Sequence, residues 1–305
     1  MHNAERTIVG PVYDAIHAAL RSKPEYQQFR HGQLSPQAFQ TLVELSGGEL
    51  MANGVLVGDL PFVKRLPSQH ARIVSEILDD LFARGILPAH ALNPYALTRA
   101  SELAMAYHHG RYKTYIYPEE GLLLAALATI CEPRNVIFLG SYYGYWAQWL
   151  IPTVAEIGGR ITLVDPDEQC CAVANKNVEH SRHADAVRIV ISLGEEYLAG
   201  SDEYYDFVVL DAEAPRDHVD PQLRGKGVYA SLLKACLPRM TEDAVLVCHN
   251  ILLADTTRDL AFDEIIDRNL EELGTFIGLA RESFSFFEYA TTEGVGVGRR
   301  VSVIQ

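Results

Sequence analysis

Glycines at 140 and 144 enclose Ser141, Tyr142 and Tyr143 directly after the apolar run Val136-Ile-Phe-Leu. Without a Cβ, glycine lets such a loop turn tightly and brings backbone N–H groups close to a ligand. The spacing is not Gly-x-Gly-x-x-Gly, so a dinucleotide-phosphate loop is disfavoured and an ordinary strand-to-helix turn stays open. Asp165 closes the next apolar run, Ile161-Thr-Leu-Val. A carboxylate there can accept both hydrogen bonds of a ribose diol and would repel a 2′-phosphate. Ser192, Leu193, Gly194 and Glu195 follow a third run at 187–191, where a backbone amide beside an apolar side chain suits an adenine. Asp211 and the pair His249-Asn250 end the fourth and fifth runs. Singly, each of these is an ordinary cap or surface residue. At successive strand ends of one sheet, they compose a nucleoside site with a polar reaction centre.

The elements that must position these residues follow from periodicity. From about Tyr112 onward, short apolar runs (136–139, 161–164, 187–191, 207–210 and 244–247) alternate with helical patterns at 145–154, 173–178 and 232–237. Alternation of this kind predicts parallel strands joined by right-handed crossovers. Ligands of such open sheets bind at the carboxyl ends of the strands, near the switch point. The first hundred or so residues read as helical instead, with helical spacing at 12–20 and 71–85. Ser35-Pro36 is a helix start, and Gly85 is a C-cap with Pro88 beyond it. The expected division is a helical cap over residues 1–111 and an α/β domain over 112–305. Gly294-Val-Gly-Val-Gly298 alternates as a strand or hairpin does. Lys226, flanked by glycines, reads first as a solvated loop cation and second as one that binds a carboxylate, and His108-His109 as junction residues.

Composition excludes several classes. There are 26 basic and 40 acidic residues, a net charge of −14, and no basic stretch longer than Arg299-Arg300. A phosphate backbone or an anionic membrane is repelled by that field, so neither is an expected partner. No apolar run approaches the ~18 residues of a membrane-spanning helix. Met1-His-Asn-Ala-Glu-Arg lacks the order of a secretory leader, and the expected location is the cytoplasm. Five cysteines without Cys-x-x-Cys spacing suit reduced thiols better than a disulfide frame or a zinc site.

The sequence resembles the class I S-adenosylmethionine (SAM)-dependent methyltransferases, nearest the catechol and caffeoyl-CoA O-methyltransferase group. The matching pieces are Tyr117-Pro-Glu-Glu-Gly-Leu-Leu, Phe138-Leu-Gly-Ser-Tyr-Tyr-Gly-Tyr, Leu163-Val-Asp-Pro-Asp, Tyr205-Asp-Phe-Val-Val-Leu-Asp-Ala and His249-Asn250. The likeness runs from about Tyr112 to the C-terminus and implies a Rossmann-like fold with SAM as cofactor. It places Gly140, Ser141, Tyr142 and Gly144 along the methionyl arm, Asp165 on the ribose and Leu193, Gly194 and Glu195 at the adenine. Asp211 falls beneath the reactive centre, with Ile116 and Tyr117 closing one side. It is compatible with a homodimer. Three departures stand out. Phe138 occupies a position where the family carries an acid two residues before the first glycine. His249 replaces the middle Asp of the metal-binding set of which Asp211 and Asn250 are the other parts. Magnesium prefers oxygen ligands, so no metal is expected, although a softer ion could accept imidazole. Ala214 stands where the catechol enzymes carry a lysine base.

Tyr112, Tyr115, Tyr117, Tyr142, Tyr143, Tyr145, Trp146 and Trp149 crowd the expected methionyl pocket. Aromatic faces attract a sulfonium through their quadrupole, though many such rings simply pack a core. Trp146 stands where the family has a serine near the SAM carboxylate, so it would reshape the aminobutyryl arm. In this the sequence is similar to the SAM-cyclising azetidine-2-carboxylate synthases of secondary metabolism. In such an enzyme the α-amine of SAM attacks its own γ-carbon and releases methylthioadenosine. The leading expectation is therefore a SAM cyclase using Asp211, His249, Asn250, Tyr142 and Trp146 on small molecules only. The alternatives are a metal-independent O- or N-methyltransferase and a non-catalytic SAM-binding protein. The cyclase should fill the space beyond the sulfonium with rings, whereas a methyltransferase must leave room for an acceptor.

Overall fold

A computed structural model describes residues 10–88, 93–254 and 262–301. The opening hexapeptide read for a leader lies outside them. Seven strands build the central sheet: β1 Asn135–Leu139, β2 Arg160–Asp165, β3 Val187–Ile191, β4 Tyr205–Leu210, β5 Met240–His249, β6 Phe284–Tyr289 and β7 Val295–Arg300. Their order is β3-β2-β1-β4-β5-β7-β6. The first five are parallel, and β7 runs antiparallel to both β5 and β6. Chain order reverses between β1 and β4, so the crevice that receives ligands opens above β1, β2 and β4.

The helices are α1 Val12–Leu20, α2 Pro24–Arg30, α3 Pro36–Leu45, α4 Gly47–Ala52, α5 Leu60–Lys64, α6 His70–Ala83, α7 Pro94–Met105, α8 Pro118–Cys131, α9 Ile151–Glu156, α10 Glu168–Glu179, α11 Gly194–Gly200, α12 Val228–Cys236 and α13 Asp263–Ser283. Ser35 caps α3 by accepting the Ala38 N–H at 3.2 Å, as its place before Pro36 predicts.

Strand alternation divides the core. Val136, Phe138, Phe207 and Val209 face one side, where α6, α7 and α8 add Leu78, Ala104 and Leu124. Ile137, Leu139, Val208 and Leu210 face the other, against Leu232 of α12 and Phe276 of α13. Both faces are covered, so these strands read as continuous apolar runs. A third cluster gathers residues from Val12 to Leu66, together with Tyr117. The helical N-terminal segment thus packs in two ways, with α1–α5 around their own core and α6–α7 on the sheet.

The helix expected over 145–154 is broken. A three-residue 3₁₀ turn at Ala147–Trp149 precedes α9, because Pro152 lacks an N–H and its ring clashes with the preceding turn, so it is tolerated only in a helix's first turn. α8, α13 and β6 carry no expectation above; the hydrophobic-all-round α8 has no helical stripe to read, since it is buried between α6, α7 and the sheet. Among the described residues no helix is long and apolar enough to cross a membrane.

Candidate active site

The glycine loop is held by the strands beside it. Gly140 has φ +81°, and a Cβ there would stand 2.3 Å from the Ala212 Cα, so the loop passes against the end of β4 only because this residue is glycine. Tyr142 adopts φ +50°, a conformation uncommon for a bulky residue. Its N–H donates to one Asp165 oxygen at 2.7 Å, while the Asp167 N–H donates to the other at 3.0 Å. Burial pushes the Asp165 carboxyl upward against those two amides. Each oxygen keeps a second lone pair for a ligand.

A polar cluster at the strand ends draws on several elements. His249, at the end of β5 and 2% exposed, points Nε2 at Glu120 Oε2 over 3.0 Å. Its Nδ1 lies 3.3 Å from Asp211 Oδ1 and 3.1 Å from Asn250 Oδ1. Burial pulls the imidazole down, but the charges of Glu120 and Asp211 outweigh it and raise the pKa to about 10. His249 is therefore a fixed imidazolium at neutral pH. Glu120, near the start of α8 and wholly buried, also accepts the Tyr117 N–H at 3.0 Å, the Thr291 hydroxyl at 2.8 Å and the Glu293 N–H at 2.9 Å. A carboxylate at a helix N-terminus suits the helix dipole.

Lys226 is not a solvated loop cation. It is 7% exposed, with Nζ 3.6 Å from Asp211 Oδ1 and donating to the Ala212 carbonyl at 3.1 Å. The cause is a bridge in which Ala214 and Gly225 exchange N–H···O bonds of 3.0 and 3.2 Å, with Gly225 at φ +55°. That bridge folds the loop back, so the ammonium missing at 214 arrives beside Asp211 from 226.

These groups face a cavity of about 1240 Å³. Gly140, Tyr142, Asp165, Leu193, Gly194 and Glu195 line one end, and Asp211, Lys226, His249, Asn250 and Glu293 the other. Ile116 also lines it, as do Gly58, Asp59, Pro61 and Phe62 from the N-terminal segment. Ser141, Gly144, Tyr117 and Trp146 do not reach the lining. Trp146 sits in the core, its indole N–H donating to the Glu120 carbonyl at 3.2 Å and its ring 4.9 Å from that of His249. At the start of the 3₁₀ turn the ring lies behind His249 rather than on the cavity wall where an arm-shaping residue is expected. Tyr117 and Trp149 are buried in clusters; Tyr115 and Tyr142 are the expected rings that line the cavity. Among the described residues, no group of three or more His, Cys, Asp or Glu is arranged to hold a metal. Sequence reasoning missed Glu120 and Glu293. The Pro-Glu-Glu string carries no sign of which acid turns inward, and Glu293 stands in a glycine-bounded turn without pattern.

Residues 137–251 match the model of a methyltransferase domain. A stretch of 108 residues is 32% identical to a catechol O-methyltransferase of Niastella koreensis, covering 33% of this chain and 47% of that protein. The chain thus spans about half the length of the curated relative it matches. The methyltransferase PaMTH1 of Podospora anserina, solved with SAH, superposes with a TM-score of 0.53 at 16% identity, over 74% of this chain and 96% of that one. A structure assigned as a caffeoyl-CoA O-methyltransferase from Staphylococcus aureus gives 0.51 at 12% identity, over 74% and 98%. At these identities the superpositions establish the fold.

Proposed function

We propose, from a core that has the class I SAM-dependent methyltransferase fold, that this chain binds SAM and transfers its methyl group to a small-molecule acceptor. Asp165 would receive the ribose diol, Leu193–Glu195 the adenine, and the 140–142 loop the methionyl arm. The observation that carries this reading is the cavity: about 1240 Å³ running from Asp165 past Asp211 to Glu293. A drug-sized ligand fills roughly 300–1,000 Å³, so space remains beyond the cofactor for an acceptor.

In this reading the chain's own groups supply position and charge. Asp211 lies beneath the transferring carbon, and Lys226 and His249 answer its charge from within 3.6 Å. With two fixed cations there, the site needs no divalent ion to balance Asp211 or to polarise an acceptor. The N-terminal segment would cap the acceptor end through Asp59, Pro61 and Phe62. Attack on the methyl carbon breaks the C–S bond, and its electrons neutralise the sulfonium. Holding the pair in line supplies much of the rate.

Cyclisation of SAM is less well supported, because it calls for a closed aromatic pocket and Trp146 is off the wall. Incubating the protein with SAM alone and then with a metabolite panel, read by mass spectrometry, tests the choice. The expected result is intact SAM alone and S-adenosylhomocysteine with an acceptor. Methylthioadenosine and a cyclic amino acid from SAM alone would overturn methyl transfer.

A further inference from the structure

Glu293 lies in the turn before β7, 7% exposed and on the cavity wall. Its neighbours in the cavity are committed elsewhere: Asp165 to two backbone amides, Asp211 to Lys226 and His249, and Glu272 to the Lys226 N–H at 2.9 Å. Among the described residues, the Glu293 carboxyl accepts a hydrogen bond from the Asn250 amide, whose Nδ2 donates to Oε2 at 3.2 Å. Asn250 is held at φ +55°, a left-handed position that aims its amide between Glu293 and His249. A buried carboxyl oriented by an amide and open to a ligand cavity has the geometry of a general base.

We propose, resting on the methyl-transfer reading, that Glu293 is the general base that takes the acceptor's proton from an O–H or N–H group. The proton passes to a Glu293 oxygen as the freed lone pair attacks the methyl carbon. The C–S pair returns to sulfur, and Glu293 then releases its proton to water in the open cavity. Burial and the charge of Glu120 on α8 push the Glu293 carboxyl up, while His249 of β5, the Asn250 amide and Lys226 hold it down, leaving it at about 8. Tyr115 and Tyr117, from the segment before α8, also face it. A base of that strength matches phenols near 10 and amines near 8–10.

Two readouts on the full chain test this. Infrared difference spectra between the wild type and Glu293→Gln should show a protonated carboxyl at pH 6 that ionises near pH 8. A Glu293 carboxyl that stays protonated through pH 10 would overturn the proposal, because a base must be able to give up its proton. Turnover is then followed with tyramine, which offers a phenol and an amine, and with para-nitrophenol at a pH where it is already ionised. Glu293→Gln should slow tyramine methylation about 100-fold and leave nitrophenolate within about threefold. Partial recovery is expected in Glu293→Asp, with unchanged S-adenosylhomocysteine affinity in both variants. The product mass spectrum distinguishes O- from N-methylation. Equal losses on both probes would reduce Glu293 to a positioning role and overturn the assignment. Turnover of neither probe by a protein that binds S-adenosylhomocysteine overturns the proposal. Failure to bind it overturns the methyl-transfer reading beneath.

Discussion

His249 between Glu120 at 3.0 Å and Asp211 at 3.3 Å is a buried ion cluster whose members depend on each other for solvation. Removing one partner of such a pair leaves an uncompensated charge, at a cost of about 3–5 kcal/mol. Glu120→Gln should therefore lower the unfolding free energy by roughly that amount, and a change within experimental error would show that the imidazolium is not what the site is built around. The two raised groups also set a pH dependence. Glu293 moves from 4.5 to about 8 and His249 from 6.5 to about 10. Each binds its proton more tightly folded than unfolded, so its contribution is fully present below the lower value and lost as pH rises through the upper one. Stability should fall with pH between about 4.5 and 10, and His249→Gln should flatten the alkaline half of that decline. Equal denaturant midpoints at pH 6 and pH 9.5 in the wild type would contradict the assignment. His249 was legible as an oddity in the sequence, but Glu120 lies 129 positions away and nothing local pairs them.

At the scale of elements, α8 is the part that joins the site to the N-terminal helices. Its neighbouring acids diverge by the helical turn. Glu120 reaches β5, whereas Glu119, also wholly buried, accepts from Thr292 N at 3.1 Å and meets His70 Nδ1 of α6 at 2.7 Å. His70 Nε2 continues to the Tyr13 hydroxyl of α1 at 3.3 Å. Against the burial that opposes its charge, the His70 contact holds the Glu119 carboxyl below its usual range. His70→Ala strands that carboxyl and should cost roughly 1–3 kcal/mol. The double variant with Glu119→Gln should cost less than the sum of the two, because the groups share one interaction. Simple additivity in denaturant melts would show that the contact does not couple α6 to α8. The N-cap at Ser35 and the strand runs were readable because each depends on neighbours in sequence. The broken helix at 145–154 came from a single proline overriding apolar periodicity.

Across the whole molecule, a chain of net charge −14 brings two cations, Lys226 and His249, to one cavity-lining carboxylate, Asp211. That arrangement occupies the charge-balancing place a divalent ion would take, so turnover and S-adenosylhomocysteine affinity should be unaffected by EDTA. A loss of activity restored by magnesium or manganese would refute it. The cavity is likewise a property of the whole: β-strand ends form its floor, while residues 58–62 of the N-terminal segment and α13 form its walls.

The sequence by itself determined the parallel sheet, the helical N-terminal segment and the crevice residues Gly140, Asp165, Gly194 and Asp211. These follow from short continuous apolar runs and from what ends each run, both local properties of the chain. Tertiary structure decided that Lys226 folds back onto Asp211, that Trp146 turns under the loop, and that Glu120 and Glu293 join His249 and Asn250. Those placements depend on a backbone bridge between 214 and 225 and on α8 docking against β5. Contacts between distant segments leave no periodic trace in the chain that makes them.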